Sequence, residues 1–177
     1  MLGSDKEEYV LNHIVGNDGS IYVPGKTSGD ISGSNLGQND GFLIKLDSSG
    51  NKLWSSQFGS EGDEDVQWSA PDIYGNIYLT GFTTGAVESK NHGKEDIFIV
   101  KYTSRGKLAW EKQIGTDSTD IAKGICIDQG GNIYVTGLTS GKLGKVSHGK
   151  SDCFLIKLDS AGNIVKTVQF GTEKDDL

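Results

Sequence analysis

Gly131-Asn132-Ile133-Tyr134-Val135-Thr136-Gly137 reads as a tight turn running into a short strand, and the pattern does not occur once. Gly75-Asn76-Ile77-Tyr78 stands 56 residues before it, and Gly19-Ser20-Ile21-Tyr22 another 56 earlier. The same step joins Phe42, Phe98 and Phe154, then Lys45, Lys101 and Lys157, then Gln57, Gln113 and Gln169, with no gap. A fixed period of this size marks an array of supersecondary units that bury their apolar sides against one another. The copies run 2–57, 58–113 and 114–169, and 170–177 opens a fourth, all read as one domain.

Each copy carries four strand-like runs, here named A to D. In the third copy A is Asp120 to Asp128, B is Asn132 to Thr136, C is Cys153 to Leu158 and D is Ile164 to Phe170. The runs are rich in Tyr, Ile, Val and Phe and are separated by Gly, Asn and Asp, which is the strand-and-turn signature. No stretch sustains a helical apolar period. The composition agrees, with 26 Gly against 2 Pro. The expectation is an all-β chain of twelve strands.

The string Gly131 to Gly137, then Phe154-Leu155-Ile156-Lys157-Leu158-Asp159-Ser160-Ala161-Gly162-Asn163, then Phe170-Gly171, resembles the bacterial β-propeller repeat family abbreviated SBBP. The likeness covers essentially the whole chain. The first copy departs from it at Pro24, where the others carry Thr80 and Thr136, and the second at Tyr102-Thr103, where the others carry Leu-Asp. The resemblance implies three four-stranded antiparallel propeller blades, an extracellular or cell-surface setting, and no catalytic residues. Propellers close with typically four to eight blades. Three blades therefore imply a homodimer of three plus three closing a six-bladed ring, or further blades of a longer parent chain. A β-trefoil, which closes three repeats in one chain, is the alternative fold. The copies start and end near a repeat boundary, which favours pairing without exchange of strands.

The formal charge is −7, and an acidic surface repels phosphate backbones, so nucleic acid is not expected as a partner. No run approaches the roughly 18 apolar residues of a membrane helix, and no membrane insertion is expected. Met1 to Glu8 is charged and lacks the apolar core of a signal peptide. Cys126 and Cys153 form no C-x-x-C pair and are expected to be buried thiols in strands.

Most repeated columns have structural readings. The glycines after the A–B turn and within the C–D turn supply positive φ. Phe42, Phe98 and Phe154 are expected to pack between blades. Asp40, Asp96 and Asp152 precede strand C, Lys45, Lys101 and Lys157 lie within it, and Glu8, Glu64 and Asp120 lie at the D–A loop. A half-buried lysine needs a partner, so a lysine–carboxylate pair or hydrogen-bonded turn is expected in every blade. Threefold repetition argues against a catalytic dyad, since an enzyme needs one site. The acidic loops at Glu61 to Asp65 and Glu173 to Asp176 do not follow a calcium-loop pattern, and neither a metal nor a cofactor is expected.

The B–C loops, Gly29 to Gln38, Gly85 to Lys94 and Gly141 to Lys150, are long and divergent, and with the D–A loops they should form one face. Divergent loops on a repeated scaffold are where recognition usually sits. The candidate ligand residues are Asn12, His13 and Trp68 on the strands lining the channel, and His92 and His148 on the loops. Trp68 reads as core filling or as a stacking platform for a sugar or peptide. Trp54 and Trp110 share an outer-strand column that Lys166 continues. The reading is a non-catalytic binding or scaffold module with a protein or carbohydrate ligand. A propeller enzyme of glycosidase or lyase type would need carboxylates or a His unique to one blade. A lectin would need an aromatic and polar set repeated in every loop.

Overall fold

The computed structural model describes residues 3–16 and 18–176; Leu2 and Leu177, the outer limits of the first and fourth copies, lie outside the described residues. Thirteen strands and no helix occur among those residues. They are β1 (Glu8–Val10), β2 (Ile14–Val15), β3 (Ile21–Thr27), β4 (Asp40–Leu46) and β5 (Lys52–Phe58); β6 (Glu64–Pro71), β7 (Ile77–Thr83), β8 (Asp96–Tyr102) and β9 (Leu108–Ile114); β10 (Asp120–Ile127), β11 (Ile133–Thr139), β12 (Asp152–Leu158) and β13 (Ile164–Phe170). They form three antiparallel meanders, each drawn from one repeat. A trefoil would require ladders between strands of different repeats, so the fold is a set of propeller blades.

The expected twelve strands become thirteen because strand A of the first blade is split. In the second blade β6 pairs through Trp68↔Thr80 and Ser69↔Leu79. The matching stretch of the first blade, Leu11 to His13, is unpaired between β1 and β2. Pro24 stands where Thr80 does, and it has no N–H to give to a ladder.

The turns form as expected. Six glycines, Gly19, Gly50, Gly75, Gly106, Gly131 and Gly162, have φ between 76° and 85°. Five-residue Asp-x-x-Gly-Asn turns are locked by their own carboxylate: Asp72 Oδ1 accepts from the Tyr74 and Asn76 amides, each at 2.9 Å, and Asn76 Nδ2 donates to Oδ2 at 2.7 Å. The arrangement recurs at Asp47, Asp128 and Asp159. Strand B carries a glycine where strand A crosses closely. A Cβ on Gly81 would stand 1.9 Å from the Asp65 carbonyl oxygen.

The second blade lies between the first and third. Strand β6 packs against β2, β3 and β4, while β10 packs against β6, β7 and β8, so successive A strands adjoin and the sheets do not close on themselves. The first joint buries Tyr22, Leu43 and Phe58 against Val66, Leu79, Phe98, Val100 and Tyr102. The second buries Tyr78, Ile97 and Ile99 against Ala122, Val135, Phe154 and Ile156. The expected packing between blades holds for Phe98 and Phe154. Phe42 is also buried, but by its own blade: its ring lies over Gly25 and it clusters with Ile44 and Leu46.

Candidate functional site

The B–C loops and D–A loops share one rim. Asn39 pairs with Asp63 in a β-bridge, as Ser151 does with Asp175. Asp40, Asp96 and Asp152 are buried there. Their partner is the glutamine column. Gln113 Nε2 donates to Asp96 Oδ2 at 2.8 Å and to the Gly85 carbonyl at 2.9 Å, while its Oε1 accepts from the Val87 amide at 2.8 Å. Gln57 and Gln169 do the same for Asp40 and Asp152. Each glutamine thus ties strand D to the start of the B–C loop, a role invisible in sequence although the column itself was in register.

The second acidic column closes each D–A loop. The Ser60 amide donates to Glu64 Oε2 at 2.7 Å, and the Thr83 hydroxyl to Oε1 at 2.6 Å. A Cβ on Gly59 would lie 2.3 Å from Asp40 Oδ1 and 2.9 Å from Glu64 Oε2, so two buried carboxylates flank one glycine. Burial pushes both Asp40 and Glu64 above the ordinary carboxylate range, and the nearby Asp40 charge adds to the rise at Glu64. In the next joint Asp96 Oδ1 and Asp120 Oδ1 are buried without a hydrogen-bond partner. Among the described residues no three His, Cys, Asp or Glu converge on a metal-sized position.

The lysine column faces the opposite rim, and its partner differs from the one expected. Lys45, Lys101 and Lys157 lie over Tyr22, Tyr78 and Tyr134, with Nζ 4.9, 4.9 and 5.4 Å from the ring centroids. Only Lys45 adds a carboxylate, Asp18 at 3.4 Å, among the described residues. A tyrosine face satisfies a cation without taking a second charge out of water. A cleft of about 430 Å³ opens beside Lys45, lined by Asp18, Tyr22, Pro71, Ile73 and Tyr74. Ile73 and Tyr74 occupy a turn that is polar in the other copies, and both are exposed. That apolar departure is legible in the sequence.

The five candidate ligand residues are dispersed. Asn12 is bound to the neighbouring blade, accepting from the Ser69 hydroxyl at 3.0 Å. His13 is exposed in the gap between β1 and β2. Trp68 is exposed on β6 beside a bulge, so it is not core filling. His92 and His148 lie on separate loops, and their backbone amides cap Asp96 and Asp152 at 2.6 and 2.7 Å. Leu36 does the same for Asp40, so the contact the column shares is the amide; at His92 the imidazole adds to it, with Nδ1 3.2 Å from Asp96 Oδ2. A rim cleft of about 660 Å³ between the first two blades is lined instead by Leu36, Ser60, Glu61, Thr84 and Asn91.

In two apolar columns the end blades expose what the joints bury. Val10, Val66 and Ala122 share a column and are 57, 0 and 0 % exposed. Phe58 is 5 % exposed and Phe170, in the same column, 51 %. Cys153 stands where Ile97 is wholly buried, yet it is partly exposed, and Cys126 is exposed on β10. The expectation of two buried thiols is corrected on both counts; for Cys153 the reason is that, among the described residues, no further blade lies against its side of the third sheet.

Residues 109–145 match the family model described as a β-propeller repeat, SBBP. The stretch runs from β9 into the loop after β11 and so spans a blade joint. The chain is 26 % identical, over 94 % of its length, to "Regulatory protein FlaEY" of Caulobacter vibrioides, of which it spans 20 %. It is 29 % identical, over 57 % of its length, to "Uncharacterized WD repeat-containing protein L264" of Acanthamoeba polyphaga mimivirus, of which it spans 9 %. The chain thus spans a fifth or less of these curated relatives. A crystal structure of a protein of unknown function from Bacteroides caccae is 13 % identical, covers 94 % of this chain and 71 % of its own, and superposes with a TM-score of 0.33.

Proposed function

We propose that this array of SBBP-type β-propeller repeats is a non-catalytic binding and scaffold module that associates with a second copy of itself, three blades plus three. The observation that carries the reading is the pair of unmatched end faces. The first blade offers the side that Val66 and Ala122 bury in the joints, here with Val10 exposed, and the third offers the side that Phe58 buries, here with Phe170 exposed. The two internal joints are the template for how one side covers the other. Exposed apolar faces of this kind favour association. The repeated polar columns support a structural role, because each is spent on turns, loops and joints. The names of the relatives, a regulatory protein and a WD repeat protein, support a module that presents surfaces. Its ligand, a protein segment or a carbohydrate, would meet the rim clefts and Trp68.

Sedimentation across a concentration series tests the association, with a dimer near twice 18.9 kDa as the expected species. Alkylation of Cys153 should slow as dimer forms, while Cys126 stays reactive. A monomer at every concentration with an unprotected Cys153 would overturn the reading.

A further inference from the structure

Four segments of the chain are versions of one loop: Gly3 to Glu8, Gly59 to Glu64, Gly115 to Asp120 and Gly171 to Asp176. Each is closed by the same bond, from the amide of its second residue to the carboxylate of its last. The donors are Ser4, Ser60, Thr116 and Thr172, at 3.0, 2.7, 2.6 and 2.6 Å.

The two internal loops clamp both blades that they join. Residues 59–64 hold the preceding blade through Glu64 N to the Asn39 carbonyl at 2.9 Å and Gln38 N to the Gly62 carbonyl at 2.9 Å. They hold the following blade through Thr84 N to the Asp63 carbonyl at 3.1 Å and the Thr83 hydroxyl to Glu64. Residues 115–120 repeat this through Asp120 N to Glu95 and Ser140 N to Thr119.

Each outer loop makes half of these bonds. Residues 171–176 hold only the preceding blade, through Asp176 N to the Ser151 carbonyl at 3.0 Å, among the described residues. Among the described residues, 3–8 hold only the following blade, through Ser28 N to the Glu7 carbonyl at 3.1 Å and the Thr27 hydroxyl to Glu8 at 3.2 Å. The two halves are chemically alike at every position. Gly-Ser-Asp-Lys-Glu-Glu matches Gly-Thr-Glu-Lys-Asp-Asp, and both carry a lysine that neither internal loop has.

This rests on the self-association reading. A copy that seats its first blade on the third blade of another brings its own residues 3–8 to the place where 171–176 lie. One position cannot hold both loops. We propose that residues 171–176 occupy the site of the incoming copy's residues 3–8, so that pairing of two chains proceeds by exchange of one loop for its likeness. The exchange replaces the Asp176 amide on the Ser151 carbonyl with the incoming Glu8 amide and preserves the loop's other bonds. The gain then comes from the faces, and the resident loop lowers the apparent affinity by the fraction of time it is seated.

Two experiments test this. A chain truncated after Phe170 should dimerise at least about tenfold more tightly than the full chain, the factor for a loop seated nine-tenths of the time. Equal or weaker dimerisation after truncation overturns the exchange. Independently, a labelled peptide of residues 3–10 should bind the truncated chain in fluorescence anisotropy and bind the full chain at least about tenfold more weakly. If neither chain dimerises but the peptide discriminates between them, the self-association reading fails and the loop assignment stands. If the peptide binds neither chain, or both equally, the loop assignment fails whatever the oligomeric state.

Discussion

Replacing Phe58 by Ala should cost this protein several times what the same change costs at Phe170. The two residues end strand D in equivalent positions of the first and third blades. Phe58 is 5 % exposed. Its ring meets Phe98 edge-on, with centroids 5.3 Å apart and planes at 69°, and lies 6.3 Å from Tyr102. Truncating a buried phenylalanine loses its transfer free energy and leaves a cavity, for about 3–5 kcal/mol. Phe170 is 51 % exposed, so its removal leaves a groove already open to water, and only about half the side chain's transfer term is lost, about 1 kcal/mol. Urea unfolding followed by tryptophan fluorescence, at a protein concentration too low for association, reads the difference. With a slope of about 2 kcal/mol per molar, the midpoint should fall by about 2 M for Phe58→Ala and about 0.5 M for Phe170→Ala. Equal shifts would refute the claim that the neighbouring blade, and not the repeat's own sequence, makes this column part of a core.

Gly115→Ala should destabilise the protein strongly by the same urea measurement, because the new Cβ would lie 1.9 Å from buried Asp96 Oδ1, whereas Gly130→Ala, whose nearest neighbour would be 3.3 Å away, should stay within about 0.5 kcal/mol. Burial raises Glu64 in the folded state, so its stabilising contribution is full below the ordinary glutamate range and is lost as pH rises through the raised value. Glu64→Gln should therefore gain stability relative to the unmodified protein in thermal melts taken from pH 4 upward, and a difference independent of pH would count against a carboxylate raised by burial. Lys101→Met should cost only about 0.5–1 kcal/mol, the scale of a cation over a tyrosine face, and not the roughly 3–5 kcal/mol of a broken buried ion pair.

The period of 56 residues, the four strands in each copy and the glycines at positive φ were all legible in the sequence. They depend on residues close together along the chain. Pro24 was visible as a departure, but that it would open strand A between Val10 and Ile14 depended on which neighbour its missing N–H would have served. The lysine and aspartate columns were visible too, but not their partners. Lys101 meets Tyr78 across two adjacent strands, and Asp96 meets Gln113 across the next pair, so register chose those contacts. The apolar turn at Ile73 and Tyr74 is legible in the sequence, against Asn17-Asp18 and Gln129-Gly130 in the other copies, but its cleft is formed only by the neighbouring blade.

What the sequence alone determined is the repeating unit, because turns and strand alternation are local and recur wherever the same residues do. The fate of each copy is set in three dimensions. Phe58 and Phe170 have the same side chain in the same register, yet one is core and the other surface. The end of strand D is buried only when another blade lies against it, and that neighbour is fixed by the order of blades in space and not by the residues of the blade itself.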